Sequence, residues 1–283
     1  MGRVKVFTDS TADLSEELLQ KYNISVIPLY VVLNEKSYRD GVDLTTDEMY
    51  RCVEQYQMLP KTSAPTTEDF KAAFQPWLSE GYEIVYIGLS SALSGTIQIA
   101  NLAASELEKD RIHIVDSLNL STGIGLLVLE AADMANQGID ASEIANKIQE
   151  DVPKVRSSFV IDTLKYLHMG GRCTSLQMLA NSVLKIRPQI IVRDGGMVVG
   201  SKYRGNRKRC WESFYKDHIG DGEGIRRNRV FLTQSGCSME EVTFLIENLR
   251  NELDVEEVLT TEAGIVISSH CGPKTMGILY IQD

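Results

Sequence analysis

Three short polar segments carry most of the chemistry in this chain: Lys61-Thr62-Ser63-Ala64-Pro65-Thr66, Leu93-Ser94-Gly95-Thr96 and Ser268-Ser269-His270-Cys271-Gly272-Pro273. Each lies where an apolar or amphipathic stretch begins or ends. The candidate groups in them are hydroxyls, a glycine-freed backbone N–H and one imidazole, none carrying a full charge. Neutral donors near helix starts suit a small anionic head group such as a carboxylate, because unpaired N–H groups and the positive end of the helix dipole gather there. That is the chemistry of holding an anion rather than of cutting a bond.

Every candidate also has a plainer role. Pro65 forces Ala64 out of the helical region, so Thr66 or Thr67 caps the next helix, leaving Thr62 and Ser63 as turn groups or ligand donors. Ser94 follows a buried strand and opens a helix; it is either an N-cap or an anion donor beside Gly95, whose lack of a side chain lets a ligand approach the backbone. His270 is expected at the end of an apolar strand. It is either a structural residue or a donor to a carboxylate, the more effective if partly protonated. A serine hydrolase using Ser94 as nucleophile and His270 as base is the alternative. Against it, the elbow glycines are missing, since Ala92 and Thr96 occupy their places. Asp9 and Asp116 end strands, as catalytic carboxylates do, but strand-end aspartates commonly form turns. No phosphate-cradling GxxxxGK[ST] loop occurs, and no cluster of His, Cys and carboxylates has metal-ligand spacing, so neither cofactor nor metal is expected.

The elements that position these segments alternate. Strands are predicted at 4–8, 24–33, 83–89 and 111–116. Helices are predicted from Ser15, from Thr46 to about 55, from Thr67 to Gly81, from about 96 to 108, and over 121–137 and 141–154. Strand–helix alternation implies βαβ units and a mostly parallel sheet, with ligands held beyond the carboxyl ends of its strands. After Pro153 the pattern changes: strands at 157–161, 186–192 and 197–203, the latter two flanking the hairpin signal Asp194-Gly195-Gly196. Strands follow at 230–233, 255–259, 264–268 and 275–281, with a helix from Met239 to about 252. Two α/β-class domains follow, 1–154 with the polar site and 155–283 as an α+β unit, with a cleft between them.

With 283 residues, 43% hydrophobic and 24% charged, the chain has ample core for two medium domains. A formal net charge of −10 argues against nucleic-acid binding, which needs a basic face. One local exception is Lys202, Arg204, Arg207, Lys208 and Arg209, a solvated helix start or a docking patch. The five cysteines are odd in number and widely spaced, the pattern of reduced thiols in a cytoplasmic protein. No signal-like segment or apolar run of membrane-spanning length is present, and no integral membrane segment is expected.

Across almost its whole length the sequence resembles the DegV family of bacterial fatty-acid-binding proteins, the carrier subunits of fatty acid kinase. The resemblance rests on an ordered set of motifs: Phe7-Thr8-Asp9-Ser10-Thr11-Ala12-Asp13-Leu14, Thr62-Ser63-Ala64-Pro65-Thr66, Ser90-Ser91-Ala92-Leu93-Ser94-Gly95-Thr96, Asp116-Ser117, Leu167-His168-Met169-Gly170-Gly171-Arg172 and His270-Cys271-Gly272-Pro273. It implies a two-domain fold enclosing one long-chain fatty acid such as palmitate. It implies a carboxylate bound by Thr62 and Ser94, assisted by Ser63 and the Gly95 backbone, with His270 as the late-motif histidine. It also implies no catalysis by this chain, and a kinase partner that phosphorylates the bound acid. Leu164, Leu167, Met178, Leu184 and Ile186 are candidates for the tunnel wall. In the late motif Cys271 stands where the family commonly has Thr, and Lys274 where it has a second Gly, which places a cation near the expected entrance. A binder of another small anion is the remaining alternative.

Overall fold

The computed structural model describes residues 2–173 and 186–283. Its first half opens with β1 (Arg3–Asp9), α1 (Glu16–Lys21) and β2 (Ser25–Ile27). β3 (Tyr30–Leu33) and β4 (Lys36–Arg39) form the hairpin that Asn34-Glu35 signals. Both turn residues hold positive φ, 50° and 65°, as a two-residue turn matched to strand twist requires. Then come α2 (Thr46–Tyr56), β5 (Lys61–Ser63), α3 (Thr67–Ser79), β6 (Tyr82–Gly88), α4 (Thr96–Ser105), β7 (Ile112–Asp116), α5 (Thr122–Asn136) and α6 (Ala141–Asp151). Thr45 and Thr66 start α2 and α3 through capping boxes completed by Glu48 and Asp69.

The four strands ordered β2-β1-β6-β7 are all parallel, and β4-β3-β5 form a small antiparallel sheet beside them. Helices cover both faces of the parallel sheet. This explains the continuous apolar run of β6, in which Ile84, Val85, Tyr86 and Ile87 are all fully buried.

The second half contains β8 (Val155–Val160), α7 (Lys165–Gly170), β9 (Ile186–Arg193), β10 (Gly196–Arg204), α8 (Arg207–Ile219), β11 (Ile225–Ser235), α9 (Met239–Glu252), β12 (Glu257–Glu262), α10 (Ile265–Cys271) and β13 (Thr275–Gln282). Its sheet runs β10-β9-β8-β13-β11-β12, antiparallel throughout except for β11 with β12. The whole is a mixed α/β fold with a parallel sheet and flanking helices. Each half has an aromatic cluster of its own, Phe70 with Phe74 and Tyr86 in the first, Trp211 with Phe214 in the second. The largest apolar cluster runs through both, joining Val6, Ile87 and Ile124 to Leu167, Phe231 and Ile281.

Of residues 264–268, expected as a strand, Gly264 caps a helix and 265–268 belong to it, so His270 lies in the last turn of α10. The run Gly-Ile-Val-Ile favours a strand by side-chain type, but two carboxylates from the first half override it. Asp13 Oδ1 accepts the Gly264 N–H at 2.9 Å and Asp40 Oδ1 accepts the Ile265 N–H at 2.7 Å. They satisfy the amides that a short helix leaves open and oppose its dipole.

Other polar bonds tie the halves. Thr46 Oγ1 donates to the Ala263 carbonyl at 2.7 Å, and Tyr50 Oη lies 2.6 Å from Ser235 Oγ. Arg229 of β11 is 7% exposed and meets Asp133 at 2.7 Å, Glu257 at 3.1 Å and the Tyr22 hydroxyl at 3.0 Å.

Candidate functional site

A cavity of about 320 Å³ lies between the halves, at the lower end of the range for small-molecule sites. Its wall takes Thr62 and Ser63 from β5, Ser94 and Gly95 from the turn before α4, and His270 from α10. Five residues spread over more than two hundred positions thus line one space.

Thr62 is set by the pairing of β5 with β3, in which Thr62 stands opposite Val31, and by the buried Pro65 that ends the strand's excursion. Its Oγ1 lies 2.9 Å from His270 Nε2. Ser63 is exposed, and its hydroxyl donates to the Ala64 carbonyl at 3.3 Å. Ser94 does not cap α4, because Gly95 occupies the cap position and makes no side-chain cap bond. Instead Ser94 Oγ accepts from the Thr96 N–H at 3.3 Å and lies 2.8 Å from Thr96 Oγ1.

The strand-end aspartates position this turn. Buried Asp9 accepts from the Tyr86 hydroxyl and the Leu89 N–H, both at 2.8 Å, and Asp116 accepts from the Ser91 N–H at 3.2 Å and the Leu118 N–H at 3.0 Å. From the opposite half, the Gly195 carbonyl accepts from Ser90 Oγ at 2.7 Å.

His270 is carried on α10, whose first turn Asp13 and Asp40 anchor. Burial pushes both of those carboxyls upward, Asp40 to about 6. Burial, and then the nearby Arg172 guanidinium, push His270 down to about 4. The imidazole is therefore neutral near pH 7, without the strengthening that partial protonation would bring to a bond with a carboxylate. Its Nδ1 is buried without a hydrogen-bond partner, and the Cα of Gly170 packs against it so closely that any Cβ there would collide. An unpaired acceptor costs less than an unpaired N–H, which places the proton on Nε2. Nε2–H then donates to Thr62 Oγ1, and the Thr62 hydroxyl hydrogen is free to turn to the cavity.

Ser94 and His270 form no nucleophile–base pair: the serine hydroxyl is engaged with Thr96, the imidazole Nε2 with Thr62, and no acid meets Nδ1.

Beyond these polar groups and Arg172 the wall is apolar, including Leu29, Leu89, Leu120, Phe159, Leu167 and Met197. Of the expected tunnel residues Leu167 lines the cavity, Leu164 and Ile186 pack on the core instead, and Met178 and Leu184 lie outside the described residues. Leu29 and Leu89 escaped the sequence reading, though both sit just past the carboxyl ends of parallel strands, where ligands are expected. Phe159 and Met197 gave no such signal. The cation at the wall is Arg172, whereas Lys274 is exposed in the turn after α10 and does not line the cavity.

The basic run is divided. Arg207 is engaged by Glu241 at 2.9 Å and lies 3.9 Å from Asp162, and Lys202, Arg204, Lys208 and Arg209 are exposed. Among the described residues no group of His, Cys and carboxylates could hold a metal, no disulfide forms, and no helix is long and apolar enough to cross a membrane.

A family model described as "Uncharacterised protein, DegV family" matches residues 3–283. The chain belongs to the DegV family. A DegV domain-containing protein of Clostridium acetobutylicum is 34% identical over 284 residues, covering 100% of this chain and 99% of the relative. The solved structure of a Thermus thermophilus DegV family protein, described by its fatty acid binding, superposes with a TM-score of 0.91 at 31% identity, covering 99% of this chain and all of that one. A stearic-acid-binding protein from Eubacterium ventriosum superposes at 0.85 with 28% identity, over 100% of this chain and 98% of its own.

Proposed function

We propose that this DegV protein is a non-catalytic carrier that encloses one long-chain fatty acid such as palmitate. Its carboxylate is held by the Thr62 and Ser94 hydroxyls with help from Ser63 and the Gly95 N–H, and its tail lies among the leucines, Phe159 and Met197. The observation that carries this reading is the lining of one cavity, which brings the Thr62, Ser63 and Ser94 hydroxyls, the Gly95 backbone, His270 and the Arg172 cation together with a wall that is otherwise apolar. Fatty acid binding by the related Thermus and Eubacterium proteins supports it. Burying about fifteen methylenes at roughly 0.8 kcal/mol each favours binding by on the order of 12 kcal/mol before ordering costs. The head-group donors then need only satisfy the carboxylate, and a neutral His270 serves by fixing the Thr62 hydroxyl as a donor.

The carrier works in the cytoplasm and presents the carboxylate to a fatty acid kinase, to which the phosphoryl chemistry belongs. Exposed Lys202, Arg204, Lys208 and Arg209 are its docking surface, with Arg207 excluded by its bond to Glu241. Extraction of the purified protein with organic solvent, followed by mass spectrometry, is the test. A stoichiometric long-chain fatty acid is expected. An empty extract with no uptake of added acid would overturn the reading. Ser94→Ala should keep the fold and weaken retention by about 1.5–3 kcal/mol, the worth of a hydrogen bond to a charged group.

A further inference from the structure

The turn that carries Ser94 and Gly95 is fixed at its root by Ser90, which is fully buried and does not line the cavity. Each hydrogen-bonding group of Ser90 has a partner. Its N–H donates to the Asn119 carbonyl at 3.0 Å, in the loop after β7. Its carbonyl accepts from the Leu93 N–H at 3.0 Å and the Ser94 N–H at 3.1 Å, which closes the turn. Its Oγ accepts from the Ala92 N–H at 3.2 Å and donates to the Gly195 carbonyl at 2.7 Å. Of these bonds, only the one to Gly195 crosses to the second half. It is made by the tip of the β9–β10 hairpin, where Gly195 holds φ at +78° and a Cβ would lie 2.8 Å from Ser90 Oγ and 3.1 Å from Leu118 Cδ2. Glycine meets both demands, the backbone conformation and the close approach. The other head-group hydroxyl is tethered to the same half, because Thr62 bonds His270 of α10. The two hydroxyls stand on separate elements of the first half, and each is held against the second: Thr62 through the imidazole, the Ser94 turn through Ser90.

We propose that Ser90 is a positioning residue for carboxylate recognition: through its bond to Gly195 it registers the Ser94 hydroxyl against Thr62, and so makes the site prefer an ionised acid to a neutral lipid of the same length. The inference rests on the carrier reading above. Donors fixed in advance bind a charged head group without a further ordering cost, and a neutral head group gains less from them. Loss of the Ser90 hydroxyl should therefore be felt by the acid far more than by its uncharged counterpart.

The test titrates palmitate and hexadecanol, equal in chain length, against the wild type, Ser90→Ala, Ser94→Ala and the double variant, with thermal melts alongside. Ser90→Ala leaves the backbone bonds to Asn119, Leu93 and Ser94 in place, so the fold should survive. Palmitate should weaken about tenfold more than hexadecanol, because a hydrogen bond to a charged acceptor is worth more than one to a neutral acceptor. The double variant should bind palmitate no worse than Ser94→Ala alone. Equal weakening of both ligands would mean that Ser90 serves only the fold, and additive losses that it does not act through Ser94; either result overturns the proposal. Should Ser90→Ala not fold, Gly195→Ala decides, since it crowds the same hydroxyl from the other half and should give the same selective loss. A wild type that binds neither ligand overturns the carrier reading and this inference together. A wild type that binds palmitate, with the preference for it unmoved in Ser90→Ala, overturns this inference alone.

Discussion

Thr62→Val keeps the outline of the side chain and removes one oxygen with two partners. That oxygen accepts from His270 Nε2 at 2.9 Å; in the proposed complex its hydrogen would meet the carboxylate. Without it the imidazole N–H is stranded beside an Nδ1 that already has no partner, which costs about 1–3 kcal/mol of stability. The complex loses a charge-assisted bond of about 1.5–3 kcal/mol, a Kd weaker by roughly ten- to a hundredfold. Set against on the order of 12 kcal/mol from the tail, binding weakens but survives. Displacement of a fluorescent fatty acid by palmitate, with thermal melts alongside, should be run on the wild type, Thr62→Val, His270→Gln and the double variant. If His270 acts only through Thr62, the double variant binds no worse than Thr62→Val alone. Additive losses, or an unchanged affinity in Thr62→Val, would refute the relay from imidazole to hydroxyl to carboxylate.

Acid sensitivity should come partly from two neutral histidines. His218 and His270 are held at about 4 against an ordinary 6.5, chiefly by burial. The unfolded chain binds more protons between those values, so their stabilisation is complete above pH 6.5 and falls away towards pH 4. Asp40, raised to about 6, opposes this by taking a proton in the folded state. Denaturation midpoints of His218→Gln should therefore lose up to about 3 kcal/mol of the wild type's acid-induced decline, and an identical pH slope would count against the assignment. Gly170→Ala should displace the His270 ring and weaken palmitate binding about as much as His270→Gln, measured by the same titration; full affinity would show that the ring is not held there. Arg229→Met should lower stability by about 3–5 kcal/mol, because Asp133, Glu130 and Glu257 lose their buried cation. A melting temperature within a degree or so of wild type would show that these carboxylates reach water instead.

Much of this was written in local chemistry. Asn34-Glu35 and Asp194-Gly195 are turn residues whose positive φ the structure reproduces, and Thr45, Thr66 and Ser238 each form a capping box with the acid three residues on. The grouping of Thr62 with Ser94 and His270 is implied by the resemblance to the DegV family; the residues alone leave each of them a turn, cap or structural role as well. What local patterns could not supply is anything decided across the chain. Ile265, Val266 and Ile267 are strand-favouring side chains, yet they open a helix whose first amides are met by Asp13 and Asp40, more than two hundred positions earlier. The neutrality of His270 depends on burial and on Arg172, and neither is visible beside it in sequence.

The anchoring of α10 also bears on how such proteins can be recombined. The amides of Gly264 and Ile265 find their acceptors only in the other half, while the far end of the same seven-residue helix delivers His270 to Thr62. A chimaera joining residues 155–283 of this chain to the first half of a relative would keep Phe159, Leu167 and Met197 of the cavity wall and lose Leu29, Leu89 and Leu120. It would form a working mouth only if that relative also placed carboxylates at the positions of Asp13 and Asp40. The two halves are separate in their sheets but not interchangeable parts, and ligand preference cannot be transplanted by swapping one of them without these two acids.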